Sequence, residues 1–202
     1  MEIRHHAYLY AVLCRHILEC AGRQEGEKLI EAFTRDYGLR RGRRMKKNAE
    51  NGDMSDFFIV GEWKGQPGEN ISCLSYEKDE TVSVVTKCAW YDTWKEYGLL
   101  DYGPYYCRYI DKAICEGYAS DFSLDVSETI GGGDARCVFK WSAPADKDLV
   151  SETEKAHILP FDFHCKEMLE SVRKVLDKEL CETVLKKTQR DFEEEFGNSN
   201  LF

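Results

Sequence analysis

The sequence contains no C-x-x-C pair and no H-E-x-x-H run, so the two commonest zinc-binding spacings are missing. Only four prolines interrupt it and no low-complexity tract or internal repeat is visible, which sets aside a disordered or solenoid chain. No stretch reaches the roughly 18 apolar residues of a membrane span. The short apolar run "AYLYAVLC" is broken by Arg15 and His16, and no small-residue cleavage site follows it. A cytoplasmic protein without a membrane partner is expected. Excess positive charge is also missing: the net charge is -9, which argues against a general nucleic-acid binder, because such binding is driven by neutralising phosphates.

What is present suits a folded enzyme-sized chain. The 202 residues are 43% hydrophobic and 12% aromatic, enough for one substantial core. Nine cysteines, an odd number, lie scattered, and in a reducing compartment most should be free thiols. No metal and no cofactor are expected, although a zinc assembled from separated Cys and His residues stays open. One basic block, "RRGRRMKK", places six cations in eight residues from Arg40 to Lys47. As a solvated helix end it would complement the C-terminal dipole. Alternatively Arg41 or Arg44 turns inward and holds a small carboxylate or phosphate.

Leu9, Val12, Leu13, His16, Ile17 and Cys20 recur at helical spacing and Gly22 stops that helix. A second helix carries Leu29, Ile30, Phe33 and Tyr37 and runs through the basic block to a turn at Asn51-Gly52. "ISCLSYE" and "TVSVVTKC" read as paired strands, and so do "FSLDVSET" and "ARCVFKW" around the glycine-rich "IGGGD". Short helices are expected over Ala89–Gly98 and around Cys107, a loop over Pro144–Lys155, and one or two helices after Pro160. The whole, residues 1–202, is read as a single α+β domain: an antiparallel sheet of hairpins packed with N-terminal and C-terminal helices, the latter an extension over 160–196.

Within "GPYYCRYIDKAICEGY" Cys107 and Asp111 stand four residues apart on one helix face. They make a poor catalytic dyad, because a carboxylate raises a neighbouring thiol's pKa when a nucleophilic cysteine needs it lowered. Asp111 is better suited to a cationic ligand such as an amidinium, or else to pairing inside the fold with a residue such as Arg108. His5 and His6 open the first helix, where a neutral imidazole can act as base, although surface histidines without a role are common there. Glu62-Trp63 sets an acid beside an aromatic wall. Trp90 and Trp94, at helical spacing, and the thiols of Cys88 and Cys137 suit a core as well as a ligand wall.

The ordered set "RHHAYLYAVL", "YGLRRGRRM", "GEW", "CAWYDTWKEYG", "YGPYYCRYIDKAICEGY" and "ARCVFKW" resembles the L-2-amino-thiazoline-4-carboxylic acid hydrolase family of bacterial proteins, over about residues 4–141. A more distant likeness is to ligand-binding domains of the 4-vinyl-reductase type. The resemblance implies a hydrolase that opens a small cyclic amidine to an N-carbamoyl cysteine-type product. His5, His6, Arg44, Glu62, Cys88, Cys107, Asp111 and Cys137 occupy positions that recur in the family. Two departures are visible: "EGYASDF" lacks an Asn-Pro after its glycine, and "GGGDARC" has no histidine before its cysteine.

Residue chemistry then assigns expected roles. Catalysis falls to Cys107, Asp111 and His6, with either the Cys107 thiolate or a His6-activated water attacking the amidine carbon. Substrate binding falls to His5, Arg44, Glu62, Trp63, Cys88, Trp94, Tyr106 and Cys137, with Arg44 receiving a carboxylate and Asp111 or Glu62 the amidine. The expected partner is a small-molecule substrate, and homo-oligomerisation is left open. A non-catalytic binding or sensing domain is the alternative reading. A third is an interaction protein that uses the basic block and the long C-terminal helix.

Overall fold

The computed structural model describes the whole chain, Met1–Phe202, and has the expected α+β class, with eight helices and one four-stranded antiparallel sheet. In chain order the first elements are α1 (Ile3–Ala21), α2 (Arg23–Asn48), α3 (Met54–Ile59), β1 (Ile71–Tyr76), β2 (Thr81–Lys87), α4 (Ala89–Glu96) and α5 (Tyr105–Tyr118). There follow β3 (Leu124–Glu128), β4 (Cys137–Trp141), α6 (Lys147–Glu152), α7 (Phe161–Val175) and α8 (Lys178–Phe196). The residues form two compact units: Met1–Tyr37, Ala89–Tyr109 and Pro160–Phe202 in the first, Gly38–Cys88 and Ile110–Leu159 in the second. No helix is long and apolar enough to cross a membrane.

The first unit is helical and built round α1, which packs on α4, α7 and α8. The apolar spacing seen in the sequence understates how deeply this helix is set, since every residue from His6 to Cys14 is buried. Its N-terminus is closed by a capping box between Glu2 and His5, which satisfies two backbone donors at once. Trp94 fills the centre of the unit and donates its indole N–H to the Ala7 carbonyl at 2.9 Å. The C-terminal segment forms two helices because the chain turns at Leu176 and Asp177 starts a new one. The Asp177 side chain accepts the Leu180 N–H at 3.0 Å.

The second unit holds the sheet, in order β1-β2-β4-β3. Both hairpins appear where alternation and turn residues place them, and β2 pairs β4 with Thr81 opposite Trp141. Leu124 of β3 is the other partner of Trp141, so these three side chains share one face. Phe57 and Phe58 of α3 meet Trp141 at 5.9 and 5.0 Å between ring centroids. The polar stretch expected to be loop contains α6. Asp146 caps this one-and-a-half-turn helix by accepting from the Asp148 and Leu149 N–H groups, and its own N–H donates to Ser55 Oγ at 2.9 Å.

The second half of α2 and of α5 lie backbone against backbone. A Cβ on Gly42 would sit 2.1 Å from the Ile114 carbonyl oxygen, and one on Gly38 would sit 2.6 Å from Ala113 Cβ. Glycine four residues apart on α2 is therefore what admits α5, and this approach sets Arg41 and Met45 beside Asp111 and Ile114.

Candidate functional site

The second unit encloses a cavity of about 150 Å³. Its charged wall groups are Arg41, Asp111 and Lys155, and four aromatic rings, from Phe57, Phe58, Trp63 and Trp141, enclose much of the remainder. The volume is smaller than the roughly 300–1,000 Å³ of drug-sized sites, leaving room for a small molecule only. Asp111 is half-buried among these rings, and desolvation pushes its carboxyl up to about 6, with the charge of Arg41 pulling the other way. Such a group changes charge close to neutrality, as a general acid or base requires.

Arg41 is 6% exposed, and its Nη2 donates to the Gly61 carbonyl at 2.7 Å. Its Nε lies 3.4 Å from Glu62 Oε2 but makes no hydrogen bond. The Trp141 Nε1–H, also buried, has no partner either. Both atoms are shut off from solvent, and Arg41 Nε is compensated in charge by the nearby Glu62 carboxylate. The cavity wall therefore combines two cationic side chains with one titratable acid.

Glu62, expected as a pairing group for substrate, is fully buried and bound by the protein's own arginine. Arg44 Nε and Nη2 donate to its two oxygens at 2.8 and 2.9 Å. Glu62 also holds a left-handed backbone, φ 58°, a strained conformation of the kind that concentrates at functional sites and persists only where contacts over-determine it. The Glu62–Arg44 pair thus anchors the turn that carries Gly61 and Trp63 into the cavity wall. Of the two arginines read from the basic block, Arg41 is the one that faces the cavity, while Arg43, Lys46 and Lys47 are exposed.

Cys137 belongs to the same unit. The Ile130 N–H donates to its sulfur at 3.3 Å. Burial pushes the thiol up, that hydrogen bond pulls it down, and the nearby Asp111 charge pushes it up again. Cys88, just before α4, is half-buried.

The remaining expected site residues lie in the first unit. His6 is buried in an aromatic cluster with Trp90, Tyr106, Tyr37 and Phe161. The Trp90 Nε1–H donates to His6 Nδ1 at 3.1 Å, and an indole nitrogen can only donate, so this nitrogen spends its lone pair there. The ring proton then sits on Nε2, 3.3 Å from the Tyr37 hydroxyl. His5 faces elsewhere: its Nδ1 accepts from the Glu2 N–H, its ring lies 4.6 Å from Phe196, and burial lowers its pKa. Tyr106 stacks on Trp90 at 6.2 Å. Cys107 is half-buried in the first turn of α5. The wall of the 150 Å³ cavity does not include it.

Sequence reasoning did not single out Phe57, Phe58, Trp141 or Lys155 as wall residues. The readable signals were the adjacent phenylalanines and the tryptophan that ends "ARCVFKW". Comparison with known proteins gives one match: the family model described as L-2-amino-thiazoline-4-carboxylic acid hydrolase matches residues 1–141. No curated protein and no solved structure matches the chain.

Proposed function

Because the chain belongs to the L-2-amino-thiazoline-4-carboxylic acid hydrolase family, we propose that it hydrolyses a small cyclic amidine that carries a carboxylate, of which 2-amino-thiazoline-4-carboxylate is the type. The observation that carries this reading is the placing of Asp111 and Arg41 in one small aromatic-walled cavity. A 2-aminothiazoline carboxylate is a zwitterion whose amidinium suits Asp111 and whose carboxylate suits the guanidinium of Arg41 in the same wall. The arginine expected to receive the carboxylate, Arg44, is already held by Glu62, so Arg41 takes that part.

The proposed reaction adds one water across the ring. One Asp111 oxygen holds the amidinium N–H and makes the central carbon more electrophilic, while the other takes a proton from water as its oxygen bonds to that carbon. The carbon–sulfur bond then breaks, the hydroxyl proton leaves as the carbonyl forms, and the departing sulfur is protonated to a free thiol. The product is an N-carbamoyl cysteine, and no redox partner is needed. The alternative nucleophile, the Cys107 thiol, is less suited to the part because the cavity wall does not include it. His6 is less suited to the part of base because its free lone pair accepts from Trp90.

The test is direct. Purified protein is incubated with L-2-amino-thiazoline-4-carboxylate and free thiol is followed with a thiol reagent, wild type beside Asp111→Asn. Thiol release by the wild type, lost in the variant, supports the hydrolase. A rise in melting temperature with the compound recovered unchanged supports a binding or sensing module instead.

A further inference from the structure

Lys155 is the one cavity-wall residue that lies beyond the stretch matched by the family model, which ends at Trp141. It reaches the wall because the segment after α6 is strapped to the turn that carries Trp63. The Ala156 N–H donates to the Ile59 carbonyl at 2.9 Å and the Leu159 N–H to the Glu62 carbonyl at 2.8 Å. Between α6 and these bonds, Lys155 sets its Nζ over the Trp63 ring, 5.5 Å from the centroid. It has no carboxylate partner of its own: no ion pair to Lys155 accompanies this cation–π contact, and the cation beside it in the wall is Arg41.

We propose that Lys155 is the residue by which this chain selects a carboxylate-bearing substrate, gripping the outer oxygen of the guest's carboxylate at the exposed rim while Arg41 holds the inner one. This rests on the reading of the cavity as the substrate site and assigns its specificity. Arg41 has Glu62 and Asp111 near it, whereas Lys155 has no carboxylate of its own, so an anionic guest at the rim is drawn to Lys155. Desolvation by the wall, then Arg41, then Lys64 lower the Lys155 pKa, while the residue as a whole keeps a face open to solvent. The acidic group in the wall, Asp111, is left to the amidine. A guest that keeps the amidine but lacks the carboxylate loses the Lys155 and Arg41 contacts together, and the Lys155 share is read by substituting Lys155 alone.

Two probes separate these contributions: L-2-amino-thiazoline-4-carboxylate and 2-amino-2-thiazoline, which has the same ring without the acid. Binding to wild type, Lys155→Met and Lys155→Arg is followed by tryptophan fluorescence in rapid mixing, since Trp63 and Trp141 line the cavity. The wild type should bind the acid about tenfold or more tighter than the neutral ring, a difference of roughly 1.4 kcal/mol. Lys155→Met should lose part of that preference, the remainder being the Arg41 contact, with its affinity for the neutral ring unchanged, and Lys155→Arg should retain it. Equal loss for both probes, undiminished preference in Lys155→Met, or no binding of either probe by the wild type overturns the assignment. Binding that depends on Lys155 without release of thiol would leave the specificity role standing and overturn only the hydrolase reading.

Discussion

The guanidinium of Arg44 grips both carboxylate oxygens of Glu62, at 2.8 and 2.9 Å, across a turn whose glutamate is fully buried and left-handed. A bidentate pair of this kind fixes direction as well as charge. Removing the acid would leave Arg44 and the neighbouring Arg41 without their anion while the backbone strain remained. Glu62→Gln is therefore expected to lower unfolding free energy by about 3–5 kcal/mol, the usual cost of breaking a buried pair from one side. Urea denaturation measures it. Arg44→Lys, which cannot form the fork, should lose part of the same amount. Unchanged stability in Glu62→Gln would mean the pair does not hold this turn.

The approach of α5 to α2 gives a second prediction. A methyl at Gly42 would lie 2.1 Å from the Ile114 carbonyl oxygen and 2.7 Å from the Tyr118 nitrogen, both backbone atoms that no rotamer change can move. Gly42→Ala is expected to cost roughly 1–3 kcal/mol or more by overpacking. The same shift would displace Arg41 from Asp111, so activity per folded molecule should fall as well. Gly68→Ala is a control away from this contact: its φ of 82° strains an alanine, yet nothing lies within 4 Å of the added Cβ. It should cost stability alone.

Much of the fold was legible because its signals are local. The helical spacing of Leu9 to Ile17, the alternation of "TVSVVTKC" and the glycines of "IGGGD" each act over a few residues, and the elements appear where those patterns lie. α6 escaped notice because a six-residue, mostly polar stretch becomes a helix only through the Asp146 cap and the anchor on Ser55, which is distant in sequence. Cys107 and Asp111 drew attention as a pair, yet the cavity wall that holds Asp111 is assembled from α2, the Gly61–Trp63 turn, β4 and the strap after α6. No single stretch encodes that meeting. The left-handed turn at Glu62 had no signal at all, since glutamate has no preference for it.

Asp111 gives the pH dependence. Its carboxyl is raised from 3.8 to about 6, so between those values the folded protein holds a proton that the unfolded chain has released. Stability should therefore fall as pH rises through that window and level off above about 6, the opposite of a salt-bridged aspartate. In Asp111→Asn this slope should vanish. Activity should move the other way, because the ionised form is the base: kcat/KM should climb with pH along a limb centred near 6. In the complex the guest's amidinium favours the carboxylate, so the kcat limb should lie at lower pH than the kcat/KM limb. Coincident, flat profiles would remove Asp111 from proton transfer.

The attacking group is decided at Cys107. It stands in the first turn of α5, four residues before Asp111 in the chain, and is not part of the cavity wall. If water is the nucleophile, as Asp111 near pH 6 allows, Cys107→Ala should keep kcat within a few-fold, because a half-buried thiol then contributes packing only. Loss of about 10²-fold or more, with the melting temperature unchanged, would transfer the attack to sulfur. Rapid-quench mass spectrometry gives a second measure that does not depend on the size of the rate loss. Attack by sulfur leaves the substrate's carbon on the protein as a covalent adduct during turnover, whereas attack by water leaves the protein mass constant throughout. Constant mass together with a fully active Cys107→Ala leaves Asp111 as the group that drives the chemistry.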